Sequence, residues 1–147
     1  LDMIYRQLTV WEVKDFCAWA AYLKSLPYVD GDKIGVEGFS FGGTMTCMLL
    51  MQAPDMFHYG IAGGGVYDWA LYDSHYTERY MDTPANNPAG YDVSSVLNYV
   101  EGYIFKSFFI NGKNFVSFLI IFLAVFHQFL NTLQLTSYKV EVTHLKF

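Results

Sequence analysis

Apolar positions recur at helical spacing between Thr9 and Pro27. The positions that share one predicted helix face are Val13, Phe16, Cys17, Ala20 and Leu23. Thr9 with Glu12 three residues later predicts a capping box, in which each side chain binds a backbone N–H at the open helix end. Pro27 predicts the end of the helix. The pattern therefore indicates a helix that buries this apolar face.

Short apolar runs alternate with helical ones over the next forty residues or so. After the Asp30-Gly31 turn signal, residues 33–38 predict a strand, and the segment from residue 42 to about 52 predicts a second helix that Pro54 closes. The segment HYGIAGGG at 58–65 predicts another short, buried strand. Helix, strand, helix and strand with short connections predict an α/β fold, with a parallel sheet flanked by helices.

The stretch from 66 to 99 is aromatic and rich in turn-forming residues, and we predict it to be mostly loop. An irregular loop is indicated by the cluster of Thr83, Pro84, Asn86, Asn87, Pro88 and Gly90. Residues 94–100 predict a short helix or turn.

The net charge of −5 hides a division along the chain. Residues 1–103 carry 5 basic and 13 acidic residues, whereas residues 104–147 carry 4 basic and 1 acidic and hold 9 of the 13 phenylalanines. We therefore predict a folded domain over 1–103 and a divergent hydrophobic tail over 104–147, either mistranslated or disordered. The acidic first part has no basic stripe, which argues against a nucleic-acid partner.

Three further features concern a membrane span, the two cysteines and the start of the sequence. The apolar run 116–126 is short against the roughly 20 residues that span a bilayer, so a membrane span is not expected. Cys17 and Cys47 lie in apolar periodic segments and are predicted to be free, buried thiols. The chain begins at Leu1, and we expect it to be a piece of a longer protein whose compartment the N-terminus does not disclose.

The segment Gly38-Phe39-Ser40-Phe41-Gly42 matches the pattern G-x-S-x-G between the predicted strand and helix. A serine on such a turn takes a strained backbone, and we expect both flanking glycines to avoid collisions there. The turn lifts the hydroxyl clear of the sheet and directs the Phe41 N–H toward a developing oxyanion. Ser40 is therefore a candidate nucleophile, and a purely structural turn is the alternative.

Three segments together carry a family resemblance: DGDKIGVEGFSFGGTMT, FHYGIAGGGVYDW and YDSHYTERYMDTP. From about Thr9 to Val100 the chain resembles the catalytic domain of the prolyl oligopeptidase family, in its dipeptidyl peptidase IV and prolyl tripeptidyl peptidase branch. The resemblance implies a partial α/β-hydrolase fold and the release of short peptides after Pro or Ala from N-termini. It makes Ser40 the nucleophile and Phe41 the donor of one oxyanion N–H.

By the same resemblance, an aromatic pocket for the proline ring of a peptide substrate is lined by Val66, Trp69, Tyr72 and Tyr76. The flat, apolar ring of proline suits an aromatic box with few donors. The resemblance also implies an upstream β-propeller, a homodimeric parent enzyme and a periplasmic or secreted location. Neither a metal nor a cofactor is expected, and Glu78 with Arg79 is expected to form an ion pair or a loop anchor.

The partners that would activate Ser40 are not identifiable. The sequence Asp73-Ser74-His75 is rejected as a triad, because the members of a triad approach one another from separate parts of a fold. No aspartate follows Asp92, and the remaining candidates are the late acids Glu101 and Glu141 with His127 and His144. Relatives have an H-G-T-x-D-D motif soon after the position of Val100. We therefore expect a frame-shifted or mis-joined tail and an inactive isolated chain.

Two alternatives to the peptidase remain. A non-catalytic binding module of α/β-hydrolase type would keep the turn and lack the base. An esterase or lipase would share G-x-S-x-G but not the YTERYM segment.

Overall fold

The computed structural model describes residues 3–102 and 107–110, which all belong to the structural unit Leu1–Lys113. Its helices and strands, in chain order, are α1 (Val10–Lys24), β1 (Gly35–Phe39), α2 (Phe41–Gln52), β2 (Tyr59–Gly63), α3 (Ser74–Met81), α4 (Pro88–Ser94) and β3 (Ser107–Ile110). Two 3₁₀ helices, Trp69–Leu71 and Val96–Gly102, complete the order.

The three described strands form a parallel sheet in the order β1-β2-β3. Gly35 pairs with Tyr59 and Phe39 with Gly63, so β1 and β2 end at the same edge. The predicted parallel α/β arrangement is thus confirmed, with β1 starting two residues later than expected. β3 lies in the segment that the sequence assigned to the divergent tail, and its pairing with β2 was not predicted.

Helix α2 lies at the centre of the core. Nine of its 12 residues are buried, because the helix is apolar on almost every side and is covered by its neighbours. Met48, Leu49 and Leu50 pack in one cluster with Phe57 and Ala62 of the segment that contains β2. The helix that follows Ser40 is therefore a rigid element on which a site can be built.

Helix α1 packs against this core along a narrower face than its sequence predicted. Val13 and Ala20 are buried as expected, whereas Cys17, which was expected to be buried, is only half-buried against the core. Phe16 and Leu23 are 48% and 40% exposed, so their predicted burial is wrong. The line through positions 13, 17 and 20 makes the contact, and these two side chains lie to one side of it.

The predicted capping box at the start of α1 is also wrong on the threonine side. Thr9 has φ 74°, a left-handed backbone, and its hydroxyl makes no capping hydrogen bond within the described residues. The side chain is fully buried. Burial raises the pKa of Glu12, and its own backbone N–H and that of Thr9 oppose this rise.

The stretch predicted as loop contains two short helices. Asp73 starts α3 by accepting a hydrogen bond from the Tyr76 N–H at 2.8 Å. Asn87 starts α4 in the same way, accepting from the Gly90 N–H at 3.2 Å, and Pro88 occupies the first helical position. Both starts are standard N-caps. The two helices are so short that turn-forming residues dominate the sequence around them. The helix or turn predicted at 94–100 is confirmed as the second 3₁₀ helix.

Several sequence predictions fall outside the described residues: the nature of most of the tail over 104–147, the apolar run 116–126, and the positions of His127, Glu141 and His144. Among the helices at 10–102, none combines the length and the apolar character that a bilayer crossing requires.

Candidate active site

Ser40 occupies the turn at which β1 ends and α2 begins. Its backbone has φ 58° and ψ −122°, a conformation that is strained for any residue with a side chain. The side chain is exposed to solvent rather than packed in the core. The Ser40 N–H donates to the Gly63 carbonyl at 2.9 Å, which fastens the turn to the end of β2.

The glycines around Ser40 have unequal roles. A Cβ on Gly38 would overlap the Gly42 carbonyl group, so the turn requires glycine at that position. A Cβ on Gly42 would meet nothing within 4 Å, and the expectation that both flanking glycines prevent collisions is wrong for this one. Gly43 is needed as well, since its Cβ would lie 2.5 Å from the Gly63 oxygen. The close approach of α2 to the end of β2 explains the last requirement.

The N-terminus of α2 faces the position of the Ser40 hydroxyl. Phe41 is the first residue of the helix, and the first N–H groups of a helix have no acceptor within it. The aligned peptide dipoles add partial positive charge at this end. The arrangement can therefore stabilise negative charge that develops beside Ser40, which is the role predicted for the Phe41 N–H.

The predicted pocket residues come together as a cluster of rings. Trp69 stacks on Tyr76 with centroids 6.1 Å apart, and Tyr72 meets both rings edge to face. Phe41 contacts Trp69 at 6.0 Å, which links the cluster to the residue after Ser40. Val66 is half-buried and packs against the same group.

The rings differ in how much surface they offer a ligand. Trp69 is 1% exposed and forms the base of the cluster, whereas Tyr72 is 44% exposed at its rim. Tyr76 lies between them and is half-buried. Burial, followed by the neighbouring Tyr80 and Tyr72, raises the pKa of Tyr76, so its hydroxyl stays neutral. The cluster presents an uncharged aromatic surface, suited to a flat apolar group.

Acidic N-caps and an N-terminal segment hold this cluster in place. Asp68 starts the 3₁₀ helix of Trp69 by accepting from the Ala70 N–H at 2.9 Å. Arg6, absent from the sequence-based candidates, forms a 3.4 Å ion pair with Asp82, just past α3. The Thr83 N–H, then Asn86 and Arg6, lower the pKa of Asp82 and keep it charged. No local pattern signals a pair 76 positions apart.

The sequence Asp73-Ser74-His75 forms no triad, as predicted. The Asp73 carboxylate caps α3, and His75 is exposed on that helix. No histidine within residues 3–102 is hydrogen-bonded to Ser40. Glu78 and Arg79 do not pair with each other in the described part of the chain, because adjacent helical side chains diverge. Arg79 instead lies over the Tyr80 ring at 5.4 Å.

No candidate metal centre stands out among the residues described. Within 3–102, no group of three or more His, Cys, Asp or Glu side chains is arranged to hold a metal ion.

Comparison with known proteins places this geometry among peptidases. The model of the prolyl oligopeptidase family matches residues 1–113. The chain is 50% identical over 93 residues to the "Probable dipeptidyl-aminopeptidase B" of Grosmannia clavigera, which covers 63% of this chain and 10% of the relative. For the protein of that name from Metarhizium robertsii the identity is 47% over 97 residues, covering 65% and 11%.

Solved structures show the same similarity in three dimensions. Dipeptidyl peptidase 4 of Porphyromonas gingivalis superposes with a TM-score of 0.72 at 38% identity, over 86% of this chain and 18% of that one. A structure from Bacteroides ovatus gives 0.71 at 39% identity, over 82% and 18%. The chain spans about a tenth of the length of the curated relatives it matches.

Proposed function

The chain belongs to the prolyl oligopeptidase family, and from that premise we propose that it is part of the catalytic domain of a serine exopeptidase. The parent enzyme releases short peptides from the N-termini of its substrates after Pro or Ala. Residues 1–103 supply the nucleophile and the proline pocket. The observation that carries the proposal is the exposed Ser40 on a strained strand-to-helix turn, one residue from the ring cluster.

In the proposed reaction the Ser40 oxygen attacks the carbonyl carbon of the residue held in the pocket. The C–N bond to the rest of the peptide breaks, and water then releases the acyl group from Ser40. The Phe41 N–H and the α2 N-terminus stabilise the oxyanion. The proton of the hydroxyl passes to a histidine base and from there to the leaving amine nitrogen, and this histidine is supplied by a part of the catalytic domain other than residues 3–102.

The pocket determines which residue precedes the cleaved bond. In this proposal Val66, Trp69, Tyr72 and Tyr76 line an apolar, uncharged pocket, which suits a proline ring because that ring has no N–H donor of its own. Trp69 forms the buried floor of the pocket and orients Tyr72 and Tyr76, which face the proline ring of the substrate. Substrates with a charged residue at this position would lose solvation without gaining a partner.

The isolated chain is proposed to be inactive, since its described part holds no base hydrogen-bonded to Ser40. The lack of such a base in the described residues also supports a second candidate, a non-catalytic binding module that retains the turn. The family match to residues 1–113 favours the peptidase over both the binding module and a lipase.

A hybrid protein separates these functions. Residues 3–102 would replace the superposed segment of the P. gingivalis dipeptidyl peptidase 4, with Ser40→Ala in the same hybrid as the control. We expect the hybrid to cleave Xaa-Pro amides in preference to Xaa-Asp amides and long-chain esters, and the control to cleave none of them. A folded hybrid without amide cleavage would support the binding module, and a preference for esters would support the lipase.

A further inference from the structure

Two hydrogen bonds join the hydroxyl of Thr44 to the backbone of Val66. The Thr44 Oγ1 donates to the Val66 carbonyl at 2.9 Å and accepts from the Val66 N–H at 2.8 Å. Thr44 is fully buried and Val66 is half-buried, so the hydroxyl is the partner that the structure provides for both backbone groups. We propose that Thr44 is a positioning residue, which fixes the pocket wall at Val66 relative to the Ser40 turn. This role rests on the proposed peptidase function.

Thr44 contacts both parts of the proposed site at once. Its N–H donates to the Ser40 carbonyl at 3.1 Å, the first backbone hydrogen bond of α2. The Ser40 N–H in turn binds the Gly63 carbonyl, three residues before Val66. These hydrogen bonds, together with the backbone between Gly63 and Val66, therefore form a closed ring that connects Ser40, the end of β2 and the pocket wall. Within this ring, the Thr44 hydroxyl is the one side-chain group.

The backbones in this ring approach too closely for ordinary side chains. A Cβ on Gly65 would lie 2.8 Å from the Thr44 nitrogen, and a Cβ on Gly43 would lie 2.5 Å from the Gly63 oxygen. Such close approach places two backbone segments side by side without specifying their register. The Thr44 hydroxyl supplies that register, because its donor and its acceptor bonds must both be made to one residue.

A second side chain of α2 holds the neighbouring residue by a separate contact. Cys47, one turn after Thr44 on the same helix face, belongs to the core cluster against which Tyr67 packs. The Tyr67 carbonyl accepts from the Val96 N–H at 2.9 Å. Tyr67 therefore stays anchored when the Thr44 hydroxyl is removed, and we expect the effect to remain local to Val66.

Helix α2 contains its own matched control. Thr46 is also buried, at 2% exposure, but its hydroxyl donates to the Gly42 carbonyl of the same helix at 2.9 Å. Thr44→Val and Thr46→Val remove the same group and keep nearly the same shape. Only the first change affects a hydrogen bond to a pocket residue. Thr44→Ser keeps the hydroxyl and serves as the rescue variant.

Amide hydrogen exchange in the full 147-residue chain tests the hydrogen bonds directly. Thr44→Val should speed exchange at the Val66 N–H by about tenfold or more, since the donor loses its buried acceptor. Thr46→Val and Thr44→Ser should leave that exchange rate unchanged. Equal exchange at Val66 in the two valine variants would overturn the proposal, whatever the function of the chain.

The hybrid enzyme tests the consequence for substrate. Thr44→Val should lower kcat/KM for an Xaa-Pro amide by about tenfold or more, as small misplacements of a bound substrate are costly. Cleavage of p-nitrophenyl acetate, which does not fill the pocket, should be unchanged. A parallel loss on both substrates, or on neither, would overturn the role of Thr44. An unmutated hybrid that is folded but inactive would overturn the proposed function instead.

Discussion

The backbone N–H of Ser40 donates to the carbonyl oxygen of Gly63 at 2.9 Å, so the strained turn is fastened to the neighbouring strand. The two residues lie next to each other because β1 and β2 are parallel and end at the same edge of the sheet. In open parallel sheets this edge is where ligands usually bind. The exposure of Ser40 therefore follows from strand order as much as from the local glycines.

The different surroundings of Gly38 and Gly42 give the first prediction. Gly38→Ala should destabilise the chain by about 1–3 kcal/mol, because the added methyl overlaps the Gly42 carbonyl group. Gly42→Ala is the matched control and should be neutral or stabilise by up to about 1 kcal/mol, since its methyl meets open space within a helix. Urea unfolding of both variants measures the difference. Equal losses would show that the turn is not built as described.

Backbone strain at Ser40 gives a second prediction. Ser40→Gly should raise the free energy of unfolding by about 1 kcal/mol, because glycine has no Cβ and adopts φ 58° and ψ −122° without strain. Ser40→Ala retains the Cβ and should leave stability close to that of the parent chain. Thermal or urea unfolding distinguishes the two. If alanine stabilised the chain as much as glycine, removal of the hydroxyl rather than relief of strain would be the cause.

Thr9 carries a similar strain at a position with no proposed catalytic role. Thr9→Gly should stabilise the chain by about 1 kcal/mol, because a β-branched residue at φ 74° is unfavourable. Thr46→Gly, in the interior of α2, should instead destabilise it by about 1 kcal/mol or more. Chemical unfolding provides both values. A loss of stability at position 9 would indicate that packing of the buried methyl group outweighs the strain.

The family and the fold class could be predicted from the sequence, and both are confirmed. The glycines around Ser40 and the apolar runs on either side are local features, and they specify a strand, a turn and a helix without knowledge of the rest. The caps at Asp73 and Asn87 were equally visible. The stretch nevertheless predicts a loop, because the helices that these caps start are only 8 and 7 residues long.

The remaining features depend on residues far apart in the chain. The ion pair between Arg6 and Asp82 joins segments 76 positions apart, so no local pattern indicates it. The exposure of Phe16 depends on which neighbours cover α1, and helical periodicity does not contain that information. The hydrogen bonds between Thr44 and Val66 likewise arise only when α2 packs on the end of β2. Tertiary contact determined each of these features.

The buried thiol of Cys47 predicts a dependence of stability on pH. Burial raises its pKa to about 12, from 9.0, against a smaller opposing effect of the hydrogen bond to Tyr67. Because the folded pKa is the higher one, the neutral thiol stabilises the fold fully below about pH 9, and this contribution is lost as the pH rises toward 12.

Urea unfolding at a series of pH values measures this effect. Cys47→Ala should flatten the decline in the free energy of unfolding between pH 9 and 12. Cys17→Ala is the control, since this thiol is half-buried and its pKa is raised less. The same slope in both variants would assign the decline to other groups, such as the buried tyrosines.

Covalent labelling tests the central claim, that Ser40 is the nucleophile of a serine peptidase. A fluorophosphonate probe would be added to the hybrid enzyme that carries residues 3–102, and peptide mass spectrometry would locate the adduct. We expect a single adduct on Ser40, none in the Ser40→Ala hybrid and none in the isolated 147-residue chain. A folded, unlabelled hybrid, or an adduct on any other residue, would contradict it.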